Sequence, residues 1–283
     1  MHVAALSATI RVVGTVQVDG TELFYEREGS GPGCLVLHGG LGVDHRMYRR
    51  SLAALSGTHE VVWLDHRGNG RSGRPPSSTI TIEQLADDAA AVIERLELGA
   101  AVVIGHSYGG FVAQELALRH PQLVSKLALV ATTPGQLGTN EDPEEGRGAE
   151  LPDEAAALLS VVPADDDALV DGLRRLMPWY LHRREVSDVI AMMDGTVFSR
   201  NAMVRGFEVL ASWSSVDRLH RVDAPTLVAV GAHDVFTSPP QARRISSRIP
   251  GSVLVEFADS GHFPWIDEPE RFFGVVGEWL AVT

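Results

Sequence analysis

Ala101-Val102-Val103-Ile104-Gly105-His106-Ser107-Tyr108-Gly109-Gly110 joins a short apolar run, the length of a buried strand, to a G-x-S-x-G turn. The residues from about Gly109 to His120 then read as a helix that stops before Pro121, so the serine stands between a strand and a helix. A turn this tight exposes the hydroxyl, and small residues two positions to either side let the chain pack closely. The helix amino terminus beyond it favours negative charge developing nearby. A glycine-rich turn with an incidental serine would share the five letters but not their flanking elements.

On either side of this stretch, apolar runs of buried-strand length recur at Cys34–Leu37, Val61–Leu64, Leu127–Val130, Thr226–Val230 and Val253–Phe257. Helical segments separate most of them. Thr81 and Gln84 have capping-box spacing, and Ile82, Leu85, Ala86, Ala89, Val92, Ile93 and Leu96 follow with helical period. A last helix runs from about Pro269 to Leu280, with Phe272, Val275, Val276 and Leu280 on one face. Near the start, Val16–Glu28 carries Asp19-Gly20 between two strand-like runs, a dipeptide suited to the positive φ angles of a hairpin turn. This alternation predicts an α/β fold, a mostly parallel sheet with helices on both faces.

Between Thr133 and Val222 the alternation fails, and helix-like stretches rich in Ala, Leu and Met replace it. The expectation is a helical module, residues 134–221, inserted into a core formed by residues 1–133 and 222–283. Asn140–Asp171 holds eleven acidic residues and Arg147 as its only base. A solvated loop with outward-facing acids explains that imbalance more simply than a metal site.

A serine hydroxyl is a weak nucleophile; it needs a neighbouring base, and the base needs a third group to hold its tautomer. His262, in Ser260-Gly261-His262 just after Val253–Phe257, is the expected base. Asp234, in Gly231-Ala232-His233-Asp234 after Thr226–Val230, is the expected acid. Asp259 and Asp267 are rival acids near His262, and His233 is a rival base. His38 and His106 flank the site and are expected to brace its loops through hydrogen bonds, whereas His59, His120, His182 and His220 read as surface residues. For the oxyanion, the N–H of Tyr108 follows the nucleophile, and the turn His38-Gly39-Gly40-Leu41-Gly42 offers Gly40 as the second donor.

Gly68-Asn69-Gly70-Arg71-Ser72-Gly73 has the letters of a dinucleotide fingerprint, but Pro75-Pro76 follow where a helix must open. No cofactor is expected. The H-x-H-x-D-H and H-E-x-x-H patterns are absent, so no catalytic metal is expected either. The net charge of −13 on 283 residues repels phosphate backbones and anionic lipid, which makes nucleic acid and membranes poor partners. Cys34 is the only cysteine and suits a reducing compartment. With no basic n-region at Met1–Ile10 and no membrane-length apolar run, the expected location is the cytoplasm.

Together, His38-Gly39-Gly40, Asp65-His66-Arg67-Gly68-Asn69-Gly70-Arg71-Ser72, Gly105-His106-Ser107-Tyr108-Gly109-Gly110, Gly231-Ala232-His233-Asp234 and Ser260-Gly261-His262 resemble the landmarks of the α/β-hydrolase family, in that family's order. The resemblance spans the chain apart from the insert. It implies an eight-stranded sheet with a helical cap after the sixth strand. Ser107 separates the chain from dehalogenase-like members, which carry aspartate there. The His-Gly-Gly-x-Gly turn and Ser-Tyr-Gly-Gly are similar to prolyl iminopeptidases, although Leu41 replaces their proline. Small esterases, enol-lactonases, N-acyl homoserine lactonases and carbon–carbon bond hydrolases have similar loops.

These residues imply a cofactor-free serine hydrolase of a small or medium acyl substrate, an ester or lactone before an amide. Ser107 would be the nucleophile, His262 the base, Asp234 its partner, and Gly40 and Tyr108 the oxyanion donors. The alternatives are an aminopeptidase of the prolyl iminopeptidase type, a carbon–carbon bond hydrolase, and a ligand receptor on the same fold. Trp179, Trp213, Met192, Met193, Met203 and Phe207 are candidates for an apolar pocket, and Glu208 with Asp194 for an ammonium site.

Overall fold

The computed structural model describes residues 11–135, 151–182 and 186–282. The amino-terminal decapeptide and the acid-rich residues 136–150, Arg147 included, lie outside them. Strands β1 (Val12–Val18) and β2 (Thr21–Glu28) form the expected hairpin, with Val18 paired to Thr21. Its turn has one positive φ, +73° at Gly20; Asp19 stays out of the left-handed region, so glycine alone carries the special geometry.

The chain continues through β3 (Gly33–Leu37), α1 (Arg46–Leu52), β4 (Glu60–Leu64), α2 (Ile82–Arg95), β5 (Ala101–His106), α3 (Tyr108–Arg119) and β6 (Val124–Val130). Helices α4 (Asp153–Leu159), α5 (Asp166–Leu176), α6 (Val186–Met192) and α7 (Arg200–Leu210) come next. After them follow β7 (Thr226–Gly231), α8 (Pro239–Ser246), β8 (Val253–Phe257), α9 (Pro264–Asp267) and α10 (Pro269–Ala281). The eight strands form one sheet ordered β1-β2-β4-β3-β5-β6-β7-β8. Pairing is antiparallel at β1–β2 and β2–β4 and parallel from β4 to β8.

Side chains alternate across a strand, so a sheet covered on both faces has two cores, and each central strand feeds both. Leu35, Leu37, Val62, Leu64 and Val103 pack with α2 and α3. Cys34, Val36, Val61, Trp63 and Ile104 pack with α1, α9 and α10. Burial pushes the Cys34 thiol up to about 12, so it behaves as a small core hydrophobe. At α2, Thr81 Oγ1 accepts from the N–H of Gln84 at 3.1 Å, but the Gln84 side chain turns to Asp88 at 3.2 Å, leaving the capping box half made.

Between β6 and β7 the regular elements among the described residues are helices, apart from one bridge between Gly135 and Ser214. The Ser215 N–H donates to Pro134 O at 2.7 Å and its hydroxyl to Gln114 Oε1 on α3 at 2.7 Å, which ties both ends of this segment to the sheet layer. The expectation of a loop over Asn140–Asp171 is corrected within the described part. Its acids start helices: Asp153 and Glu154 lie in the first turn of α4, Asp166 and Asp167 in that of α5, and Asp165 Oδ1 accepts from the Ala168 N–H at 2.8 Å. Acids there satisfy free N–H groups and oppose the helix dipole, a use of charge that composition conceals. Among the described residues no helix is long and apolar enough to cross a membrane.

Candidate active site

Strands β3, β5, β7 and β8 run parallel, so the turns beyond their carboxyl ends all open at one edge of the sheet. Gly40 follows β3, Ser107 follows β5, Asp234 follows β7 and His262 follows β8. Ser107 has φ 51° and ψ −116°, a strained conformation for a residue with a side chain. It is held there by its N–H to Val130 O at 3.0 Å, and by its own carbonyl, which accepts from the Gly110 N–H at 2.9 Å and Thr132 Oγ1 at 2.8 Å. A Cβ on Gly109 would lie 2.1 Å from Leu37 O, and one on Gly105 would lie 2.5 Å from Gly109 O. The small residues around the serine are therefore required by close packing.

Asp234 is fully buried. Its Oδ1 accepts from the N–H groups of Phe236 at 2.8 Å and Thr237 at 3.0 Å, while Oδ2 accepts from Thr237 Oγ1 at 2.6 Å and His262 Nδ1 at 2.8 Å. Burial alone would raise its pKa, but the His262 charge and these donors outweigh that and pull it to about 2. The carboxylate stays ionised at neutral pH. The His262 N–H donates to Tyr180 O at 2.7 Å, and its ring meets Tyr180 edge-on at 5.3 Å and His106 at 4.7 Å.

Of the rival acids, the Asp267 carboxylate is spent on backbone. Asp267 Oδ2 accepts from the N–H groups of Gly261 at 2.8 Å and His182 at 3.1 Å, and the Asp259 N–H donates to Glu268 Oε1 at 2.9 Å. His233 stacks on His182 at 3.6 Å. His38 and His106 do brace loops: His38 Nδ1 donates to Gly39 O at 2.9 Å, and His106 Nε2 donates to His262 O at 2.9 Å. Burial lowers the pKa of both imidazoles and keeps them neutral.

Ser107, Tyr108, Gly40 and His262 all line one cavity of about 970 Å³. Its wall is mostly apolar and includes Phe111, Leu176, Met203, Phe207 and Leu210. Of the pocket candidates, Met203 and Phe207 line it. Trp213 and Met193 are core residues instead, and the Trp213 indole N–H donates to Glu115 Oε2 at 3.1 Å. Trp179 and Met192 do not line it, nor do Glu208, which pairs with Arg205 at 3.0 Å, and Asp194.

Thr237, Phe236 and Tyr180 were not legible as site residues. An Asp-x-x-Thr spacing is the signal for Thr237, whose hydroxyl can turn back on the acid; Tyr180 comes from the helical segment and has no such signal. Asp44, His45 and Asp65 are close enough together to suggest a metal site, but their donors are occupied. His45 Nδ1 lies 2.6 Å from Asp65 Oδ1, Asp65 Oδ2 accepts from the Arg71 N–H at 2.9 Å, and Asp44 Oδ2 accepts from Arg71 Nη1 at 3.1 Å and the Val197 N–H at 3.0 Å. The run Gly68–Gly73 folds around Arg74, whose guanidinium donates to Asn69 O at 3.1 Å and Gly70 O at 2.7 Å; a 3-10 turn, Ser77–Thr79, follows in place of a helix.

Residues 34–269 match the family described as alpha/beta hydrolase fold. The pimeloyl-[acyl-carrier protein] methyl ester esterase of Chromobacterium violaceum is 28% identical over 262 residues, covering 91% of this chain and 98% of that protein. The enol-lactonase of Burkholderia xenovorans superposes with a TM-score of 0.77 at 26% identity, over 95% of this chain and 100% of the other. An esterase of Exiguobacterium antarcticum superposes with a TM-score of 0.80 at 24% identity, over 95% and 99% of the two chains, a likeness of fold.

Proposed function

The chain belongs to the alpha/beta hydrolase fold family, and from that premise we propose that it is a cofactor-independent serine hydrolase of carboxylic esters or lactones. The observation that carries the reading is the His262 Nδ1–Asp234 Oδ2 contact of 2.8 Å, with Ser107 and His262 on the wall of the same cavity. Because Nδ1–H is committed to the carboxylate, Nε2 is the basic nitrogen of the neutral ring. Ser107 Oγ attacks the carbonyl carbon and His262 Nε2 takes its proton. The tetrahedral oxyanion is held by the N–H groups of Tyr108 and Gly40. His262 returns the proton to the leaving oxygen, and water, activated the same way, releases the acid from Ser107. The helices α4 to α7 act as the cap that closes the cavity and selects the acyl compound.

Esters and lactones are favoured over amino-terminal proline peptides by the cavity wall. An α-ammonium in a closed pocket needs buried acids beside it. Asp171 is the only carboxylate lining the cavity among the described residues; it is largely exposed and already 3.6 Å from Arg174. The likeness to an ester hydrolase and to an enol-lactonase supports the same class. Ser107→Ala tests the reading: kcat/KM on p-nitrophenyl esters falls by about four orders of magnitude or more in a folded protein. A fluorophosphonate labels the wild type and not the variant. Near-wild-type turnover by Ser107→Ala overturns it.

A further inference from the structure

The wall of the cavity formed by the start of α8 differs from the rest. Pro239 and Pro240 fill the first two helical positions and have no N–H to offer. The next N–H, of Gln241, is taken by Ser238 O at 2.9 Å. The helix end thus presents the cavity with no free backbone donor, and two side chains remain. Ser238 is the N-cap residue, yet its hydroxyl makes no capping bond, and no described residue pairs with it although the residue is only 4% exposed. Gln241, one turn later and 9% exposed, has a carboxamide with no hydrogen bond to any described residue, and its Oε1 is buried and unpartnered. Both residues line the cavity.

A buried carboxamide oxygen is nearly always paired, and leaving it unpaired, as Gln241 Oε1 is, costs stability. Nothing else at this wall demands the two side chains: Phe236 and Val235 beside them are apolar, and Thr237 already serves Asp234. We infer that Ser238 and Gln241 form a polar subsite, which binds a neutral hydrogen-bonding group, a hydroxyl or an amide, on the part of the substrate that is not cleaved. A carboxamide and a hydroxyl each donate and accept, which suits a partner that does both. Neither carries a charge to offset that of a carboxylate or ammonium held at this wall. The substrate class is then an acyl compound, apolar along most of a cavity of about 970 Å³, with one such group set apart from the scissile carbonyl. The assignment rests on the serine-hydrolase reading of this cavity.

The test compares methyl octanoate with the series carrying one hydroxyl, moved from C3 to C8, in wild type, Gln241→Leu and Ser238→Ala. Binding of 1-octanol and the corresponding octanediols is measured calorimetrically on the same proteins. At one or more positions the wild type should favour the hydroxylated compound by about tenfold in kcat/KM and in Kd. Gln241→Leu should remove or invert that preference, Ser238→Ala should reduce it, and both should retain fluorophosphonate labelling as the sign of a folded site. Preference ratios that are the same in wild type and both variants at every position overturn the subsite. If no ester is cleaved and Ser107 is not labelled, the serine-hydrolase reading fails, and the diol binding ratios still decide the subsite.

Discussion

With two backbone N–H groups, of Phe236 and Thr237, aimed at Oδ1 of Asp234, an amide at this position has one favourable orientation. In Asp234→Asn the oxygen would take the Oδ1 place and the NH2 would face His262 Nδ1. The ring would then carry its proton on Nε2, the wrong tautomer for a base. Turnover of esters should fall about 10⁴-fold. Asp267→Asn keeps an oxygen for the N–H groups of Gly261 and His182 and should lose less than about tenfold, as should Asp259→Asn. Steady-state kinetics on the three folded variants checks the order, and a larger loss in Asp259→Asn would reassign the acid. The placement of Ser107, His262 and Asp234 past strand ends was readable because each follows an apolar run of strand length. Thr237 and Tyr180 were not, since their contacts depend on how a loop and a helix meet the histidine.

Helix α3 reaches the sheet only because Gly109 lets its first turn touch the carbonyl of Leu37 on β3. Gly109→Ala puts a methyl within 2.1 Å of that backbone atom, where no side-chain rotation relieves it. Stability should drop by roughly 3 kcal/mol or more, seen as a lowered denaturation midpoint or insoluble expression, with the activity of any folded fraction also reduced. At the start of α1 lies a second sensitive point. His45 is 1% exposed; burial would lower its pKa, but Asp65 at 2.6 Å and Glu26 at 3.4 Å overcome this and raise it to about 9. A group whose pKa is raised on folding stabilises fully below its unfolded value and loses that contribution as pH rises through the folded one. The stability advantage of wild type over His45→Gln, roughly 3 kcal/mol by the usual conversion, should therefore be largest below about pH 6.5 and fade as pH passes about 9. Chemical denaturation between pH 6 and pH 10 measures it; an advantage that grows with pH would mean His45 is neutral.

Across the molecule, the sheet edge presents Ser107 and His262 to the cavity, while residues of the helical segment between β6 and β7 line the rest of its wall. That volume holds few polar groups, and its one carboxylate among the described residues, Asp171, is largely exposed. Catalytic efficiency on p-nitrophenyl esters and small lactones should exceed that on proline p-nitroanilide by about 10²-fold or more, given the cost of an unmatched buried charge. A preference for the proline substrate would make the enzyme an aminopeptidase. The pairing of Glu208 with Arg205 points the same way, for it removes the acid best placed in the sequence to hold an ammonium.

The strands, their alternation with helices and the turns that carry Ser107, Asp234 and His262 follow from local order: apolar runs of strand length, glycines at close approaches, and polar residues placed just past strand ends. Such features are written within a few residues of each other, so the linear chain carries them. The acids of Asp153–Asp171 show the limit. Composition read them as a solvated loop, whereas the fold uses Asp153, Glu154, Asp165, Asp166 and Asp167 to start two helices. The cavity wall lies further beyond reach. Met203 and Phe207 face the cavity while Trp213 and Met193 are in the cores, and nothing in their types or spacing distinguishes them. Which side chain faces the serine depends on how α4 to α7 pack over the sheet, and that packing is settled by contacts between residues far apart in the chain. The same holds for the unpaired Ser238 and Gln241, because a missing partner is a property of the surroundings and not of the residue.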